Sequence, residues 1–241
     1  MAMLKYRRVL LKLSGEALEG NQGAGIEART LGLVADQLAE VTRLGAQIAV
    51  VIGGGNFFRG LSGLSEIGIE RSTGDTMGML ATVMNCLAMG DALEQRGQRA
   101  SVLTAVSMGP VAERFSRRRA LTALEAGQVV LLAGGTGNPY FTTDTAAALR
   151  ALEVSAEVLL KATKVDGIYD KDPVKHPGAT RFARLGYKEV LERRLQVMDL
   201  TAITLCRENR LPLVVFDLAG QGNIRRVVEG DPAVGSWVEG D

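Results

Sequence analysis

The 241-residue chain is 46% hydrophobic and carries 28 Lys and Arg against 27 Asp and Glu, a formal charge of +1. That hydrophobic content supports a sizeable buried core, and the balanced charge offers no whole-molecule field to draw in nucleic acid or an anionic membrane. Cys86 and Cys206 sit in helix-like apolar patterns without paired spacing, and the lone His176 lies in a loop between prolines, so neither a disulfide framework nor a protein-held metal is expected. Arg7 and Arg8 precede an apolar run that Lys12 ends, far short of an export signal or a membrane span; a cytoplasmic location is expected.

Val9 to Leu13 reads as a first strand, turned by Ser14, Gly15 and Glu16. The stretch Gly20 to Gly25 is too rich in glycine for regular structure and is expected to be a mobile loop. Leu31, Val34, Leu38 and Val41 recur at helical spacing from Ala28 to Leu44, with Gly45 as the stop. Gln47 to Ile52 is a second strand, running into Gly53, Gly54 and Gly55. After an irregular segment from Phe57 to Thr73, Asp75 opens a long helix that Gly97 closes. One of its faces carries Met77, Leu80, Met84 and Leu87, another Met79, Val83 and Cys86, a pattern that predicts packing on the sheet and on a second surface. A subunit interface is the expected second surface; deep burial within one domain is the alternative.

Ala100 to Val106 is a third strand, Ser116 to Ala126 a helix stopped by Gly127, and Val129 to Leu132 a further strand. The last runs into the turn Gly134 to Pro139 and delivers Thr142, Thr143 and Asp144 to a helix over Thr143 to Leu152. Such an edge exposes backbone N–H groups, a helix N-terminus and threonine hydroxyls, a combination suited to phosphate or a polar heterocycle. Strand and helix alternate in the manner of a mainly parallel sheet covered on both faces, whose ligands bind at the carboxyl ends of the strands. Downstream, Val158 to Lys161 is a strand, Lys164 to Asp170 a hairpin and Lys171 to Arg181 a polar loop. Helices follow at Lys188 to Leu195, Asp199 to Glu208 and Asn223 to Glu229, with strands at Leu213 to Phe216 and around Trp237. No linker divides the chain, which predicts a single domain over 1–241 with lobes at about 1–155 and 156–241.

The common nucleotide motifs fail. No Lys is followed by Ser or Thr, which excludes the P-loop, and Gly23 to Ala28 matches a relaxed dinucleotide pattern only after a polar loop rather than a strand. What remains is a set of glycine turns with cations at strand ends, each open singly to a plainer reading: Lys12 as a solvated strand-end lysine, the triple glycine as a tight turn.

Five blocks carry a resemblance: LLKLSGEAL (Leu10 to Leu18), VIGGGNFFRG (Val51 to Gly60), DTMGMLATVMN (Asp75 to Asn85), GTGNPYFTTDTAA (Gly135 to Ala147) and KATKVDGIYDKDP (Lys161 to Pro173). In order and content they resemble the bacterial uridylate kinases of the amino acid kinase family, from about Lys5 to Glu229. The resemblance implies a three-layer αβα sandwich on a central, mainly parallel sheet. It also implies transfer of the γ-phosphate of ATP to UMP with magnesium, giving ADP and UDP for pyrimidine nucleotide biosynthesis, by a homohexamer.

By the same resemblance Lys12 meets the donor phosphates with Leu13, Ser14 and Gly15 beside it, and Arg59 bridges donor and acceptor phosphates with a fork suited to paired contacts. Gly54 and Gly55 offer N–H groups to UMP and ATP respectively. Asp75 matches a UMP-binding aspartate; a carboxylate repels phosphate, so the ribose hydroxyls are its expected partner, with a helix N-cap as the alternative. Thr136, Gly137, Asn138, Pro139, Tyr140, Phe141, Thr142 and Thr143 match the UMP segment, Thr136 and the Asn138 backbone reading the uracil edge. Asp144 orients the catalytic lysine, or is a simple first-turn aspartate. Thr163, Tyr169 and Asp172 match the ATP nucleoside positions, with Tyr169 placed to stack on adenine. Lys161 and Lys164 are extra cations outside this set. Magnesium is expected on the ATP phosphates and water, with no protein ligand. Gly20, Asn21, Gln22, Gly23, Ala24 and Gly25 fall where the family has a segment linked to activation by GTP, with UTP inhibiting. Arg117, Arg118 and Arg119 read as a solvated helix face, with a nucleotide contact at a subunit interface as the alternative. Two rival readings are a kinase of this fold acting on a carboxylate or carbamate, against which the TGNPYFTTD stretch speaks, and a catalytically silent nucleotide sensor.

Overall fold

The computed structural model describes residues 4–57 and 68–240. In chain order its elements are β1 (Arg8–Leu13), α1 (Ala28–Arg43), β2 (Gln47–Ile52), α2 (Arg71–Glu94), β3 (Ala100–Thr104), β4 (Glu113–Arg114), α3 (Arg117–Glu125), β5 (Val129–Ala133) and α4 (Thr143–Glu153). There follow β6 (Val158–Thr163), β7 (Ile168–Tyr169), β8 (Arg181–Phe182), β9 (Arg184–Leu185), α5 (Tyr187–Glu192), α6 (Leu200–Glu208), β10 (Leu213–Asp217), α7 (Asn223–Glu229) and β11 (Ser236–Val238).

Nine of these strands form one sheet in the order β4-β3-β5-β2-β1-β6-β10-β11-β9. Every neighbouring pair is parallel except β10 and β11. The central strands are apolar throughout because both faces are covered, and side-chain alternation sorts their residues between two cores. Val9, Leu11 and Leu13 of β1 pack with α1, α2 and α7, whereas Leu10 joins the opposite core with α3, α4, α5 and α6. The result is the three-layer αβα sandwich. One consequence decides the site: Lys12 stands two residues beyond Leu10, and Lys161 two beyond Leu159 of that same core, so both lysines emerge on the α4 side of the sheet.

Two sequence expectations change. The long helix starts at Arg71, with Glu70 as its cap residue, so Asp75 lies a turn inside α2 and is not an N-cap. Most of the irregular segment expected before it lies outside the described residues. The hairpin expected within Lys164 to Asp170 is instead a ribbon of β7 and β8, with Ile168 opposite Phe182 and Tyr169 opposite Arg181, closed over the polar loop between them. The two-residue strands β4, β7, β8 and β9 are too short to show a hydrophobic period.

On α2, Val83, Cys86 and Met89 are buried while Met77, Leu80, Met84 and Leu87 are exposed. It is the one described helix long and apolar enough to cross a bilayer, yet half of that stretch is buried inside the protein. Burial pushes the thiols of Cys86 and Cys206 up to about 12, so both are inert core groups.

Candidate active site

The carboxyl ends of β1, β2, β5 and β6 meet at one edge, and the first three pass into turns that tolerate little but glycine at key positions. After β1, a Cβ on Gly15 would lie 2.5 Å from the Gly53 carbonyl and 2.7 Å from the Gly55 nitrogen, so the first two turns are in backbone contact. A Cβ on Gly54 would lie 2.8 Å from both Ala81 Cβ and the Gly78 carbonyl, which is how closely α2 approaches the second turn. After β5, Gly134, Gly135 and Gly137 all take left-handed backbone with φ of 75°, 59° and 84°, and the Gly134 N–H donates to Thr82 Oγ1 of α2 at 2.8 Å.

These turns border a cleft of about 230 Å³. Gly54, Gly55 and Asp75 line one side of it, and Thr136, Asn138, Phe141, Thr142 and Thr143 the other. Thr136 Oγ1 accepts from the Asn138 N–H at 3.2 Å, shaping the turn locally. Tyr140 is held in left-handed backbone at φ 72°, a strained state for a tyrosine. Its N–H donates to Asp75 Oδ2 at 2.8 Å, and its exposed ring carries the Arg71 guanidinium 5.0 Å from its centre. Asp75 therefore clamps the loop, where the sequence reading had it only as a ribose ligand or a helix cap.

Behind the cleft lies a buried charge cluster. Parallel pairing sets Lys12 of β1 directly beside Lys161 of β6, on strands about 4.8 Å apart. Asp144, in the first turn of α4, receives both: Lys12 Nζ is 2.8 Å from Oδ1, and Lys161 Nζ donates to Oδ2 at 2.7 Å. Lys161 also donates to the Val197 carbonyl at 2.5 Å. Lys12 meets Oδ1 as a buried ion pair. Lys161 thus has a second acceptor beyond the carboxylate that the two lysines share. Burial pushes the Asp144 carboxyl upward, but the charges of Lys12 and Lys161 outweigh it and leave the group below its ordinary value. Burial also lowers Lys161, with Asp144 opposing.

The start of α4 is fixed from outside. Thr142 Oγ1 accepts from the N–H groups of Asp144 at 3.1 Å and Thr145 at 3.2 Å and donates to Asp199 Oδ2. Asp199 also accepts from the Thr145 hydroxyl at 2.9 Å and caps α6 through the Ala202 N–H at 2.9 Å. The sequence marked Asp199 as a helix start but not its link to α4. It also left Lys161 aside, although a lysine at an inward position of a buried strand was a signal.

The residues that the resemblance assigns to the ATP nucleoside are not gathered in the same way. Thr163 opens onto a separate groove of about 1300 Å³ between α1 and α7. Tyr169 donates to Asp166 Oδ1, and Asp172 accepts from the Val174 N–H at 2.9 Å; neither lines the two cavities. Lys164 reaches Glu16 and Glu19 at 3.8 Å and 3.7 Å. The loop Gly20 to Gly25 borders that groove at Gly20 and is mostly exposed. Arg59 lies outside the described residues. Among the described residues no three His, Cys, Asp or Glu side chains cluster for a metal.

The depressed Asp144 carboxyl makes stability pH-dependent. Its contribution is complete above the ordinary carboxylate value of 3.8 and is lost as pH falls through the lower native value. Asp144→Asn should be less stable than wild type by about 3 kcal/mol at pH 7, with the gap closing in urea titrations run below pH 3.8. A gap independent of pH would remove the ionic role.

A model of the amino acid kinase family matches residues 7–217. Among solved structures, UMP kinase from Bacillus anthracis is 36% identical over 98% of this chain and 97% of its own, with a TM-score of 0.94. UMP kinase from Ureaplasma parvum is 34% identical over 98% and 100%, with a TM-score of 0.92. Uridylate kinase from Archaeoglobus fulgidus is 28% identical over 95% and 99%, with a TM-score of 0.74. With the family model spanning most of its length and a kinase superposing along nearly all of it, the chain belongs to the amino acid kinase family.

Proposed function

We propose that the protein transfers the γ-phosphoryl group of ATP to UMP, giving ADP and UDP. The observation that carries this reading is the pair of lysines held in register by Asp144 behind a cleft walled by glycine turns and by Thr136 to Thr143. The kinship to UMP kinases supports the choice of acceptor.

Phosphoryl transfer between two phosphates needs positioning and charge neutralisation more than covalent help. The acceptor phosphate has a second pKa of about 6 and is largely ionised at neutral pH, so no general base is required. Lys12 turns from Asp144 toward the transferred group, while Lys161 keeps the carboxylate in place. Gly15 and Gly55 face the donor phosphates and Gly54 the acceptor, with Arg59 as the bridge between them. Asp75 keeps one oxygen on the Tyr140 N–H and offers the other to the ribose; Thr136 and the Asn138 backbone read the uracil edge. UMP then lies on the side of residues 1–155 and the adenosine of ATP on that of 156–241, near Thr163, Tyr169 and Asp172. With Asp144 occupied by two ammonium groups and no carboxylate cluster among the described residues, magnesium fits as an ion carried by ATP phosphates and water, supplying charge neutralisation.

We further read the protein as a cytoplasmic enzyme of pyrimidine nucleotide biosynthesis, activated by GTP through the Gly20 to Gly25 loop, inhibited by UTP and assembled as a homohexamer. The exposed row Met77, Leu80, Met84 and Leu87 supports the assembly.

ADP release with ATP and magnesium is expected with UMP and absent with acetylglutamate or aspartate, rising with added GTP and falling with UTP. Silence on UMP despite calorimetric binding favours a sensor. Asp75→Asn keeps an acceptor for Tyr140 but loses its charge; KM for UMP should rise about tenfold and that for ATP little. Equal changes in both would sink the ribose assignment. Met84→Glu should lower the sedimenting mass, and an unchanged assembly would place the interface elsewhere.

A further inference from the structure

Among the buried polar groups that the reaction described above leaves unused is the amide pair Asn56 and Asn85. Asn56 follows the Gly53 to Gly55 turn and is 2% exposed; Asn85, midway along α2, is wholly buried. Asparagine is a weak helix former, and a buried amide is destabilising unless its donors and acceptor are met. Here they are. Asn85 Nδ2 donates to Asn56 Oδ1 and to the Gly53 carbonyl, both at 2.7 Å. Asn56 Nδ2 donates to Asn85 Oδ1 at 2.9 Å and to the Gly25 carbonyl at 2.8 Å. All four amide hydrogens are used, and turning the Asn85 amide over would set N–H against N–H and oxygen against the Gly53 oxygen.

Three further contacts make the pair a junction. The Gly25 N–H donates to the Asn56 carbonyl at 2.8 Å, so Gly25 is gripped through both its backbone groups. A Cβ on Gly15 would lie 2.5 Å from Asn56 Oδ1, so the turn after β1 rests on the same amide. The Gly53 N–H donates to the Leu13 carbonyl at 2.9 Å, tying the two turns together. An apolar side chain of similar size at position 85 would leave the Gly53 carbonyl and one Asn56 N–H buried without partners.

We propose that Asn85, acting through Asn56, is a positioning residue for the phosphate-binding turns and tethers the Gly20 to Gly25 loop to them. The proposal rests on the reading of these turns as phosphate sites. Loop, turns and α2 then move as one unit, because displacing any of them opens a doubly bonded buried amide pair.

The test compares wild type, Asn56→Ala, Asn85→Ala and the double variant by steady-state kinetics per folded molecule and by amide hydrogen exchange. Each single variant should raise KM for both ATP and UMP and lower kcat, reducing kcat/KM about tenfold or more. Exchange at Gly25 and Gly53 should quicken by a similar factor while the β10 amides keep their protection. The double variant should be no worse than the more impaired single, as expected of two groups acting together. Additive losses would overturn the proposal, as would normal kinetics per folded molecule with faster exchange everywhere. If Asn85→Ala does not fold, Asn85→Ser and the wild-type exchange rate decide: a Gly25 amide exchanging as fast as an unstructured peptide removes the tether. A wild type that binds but does not phosphorylate UMP refutes the kinase reading, while the exchange comparison still judges the junction.

Discussion

Two ammonium groups on adjacent strands repel each other, and burying them together is tolerable only with an anion between them. Asp144 is that anion. Its two oxygens are divided between Lys12 and Lys161. The rest of the architecture follows from keeping this arrangement intact. The parallel register of β1 and β6 sets the two lysines side by side. The alternation of the strands puts them on the α4 face. Thr142 and Asp199 then fix the first turn of α4, so the carboxylate arrives at the right height. The two lysines are not equivalent, because Lys161 also donates to the Val197 carbonyl.

Gly54, Gly55, Gly74, Gly78 and Gly135 bring bare backbone to the cleft. Glycine is needed there because the turns after β1 and β2 touch each other and α2 touches the second, leaving no room for a Cβ at Gly15 or Gly54. Backbone turns packed this closely have polar groups of their own to satisfy, and buried amides from Asn56 and Asn85, with the hydroxyl of Thr82, meet them from beneath. The strain at Tyr140 has a similar logic: its left-handed backbone is held by a charged acceptor, Asp75, from a different element.

α2 links these parts. One helix supplies Asp75 to the loop after β5, Thr82 to the Gly134 N–H and Asn85 to the turn after β2, while its outer row of Met77, Leu80, Met84 and Leu87 faces away from the core. One helix thus carries contacts to the loops around the cleft on one side and an exposed apolar row on the other.

Much of the fold was legible in the chain. Apolar strands ending in glycine, the helical spacing of Leu31, Val34, Leu38 and Val41, and the Thr142–Thr143–Asp144 helix start are local signals, set by backbone sterics and side-chain period. They determined the strand and helix order and the parallel class of the sheet. Pairings were another matter. That Lys161 shares Asp144 with Lys12, that Asp199 braces α4 and that Asn85 lies under Gly53 depend on strand register and on how closely helices settle on the sheet, which residues 17 to 132 positions apart in sequence cannot announce. Asp75 shows the division well: its place near a helix start was readable, but its bond to the Tyr140 N–H, 65 residues on, exists only once α2 and the loop after β5 are packed together. Local propensity determined the parts and their order; tertiary packing decided which polar groups met, because a buried donor or acceptor takes the partner that the assembled layers bring within reach.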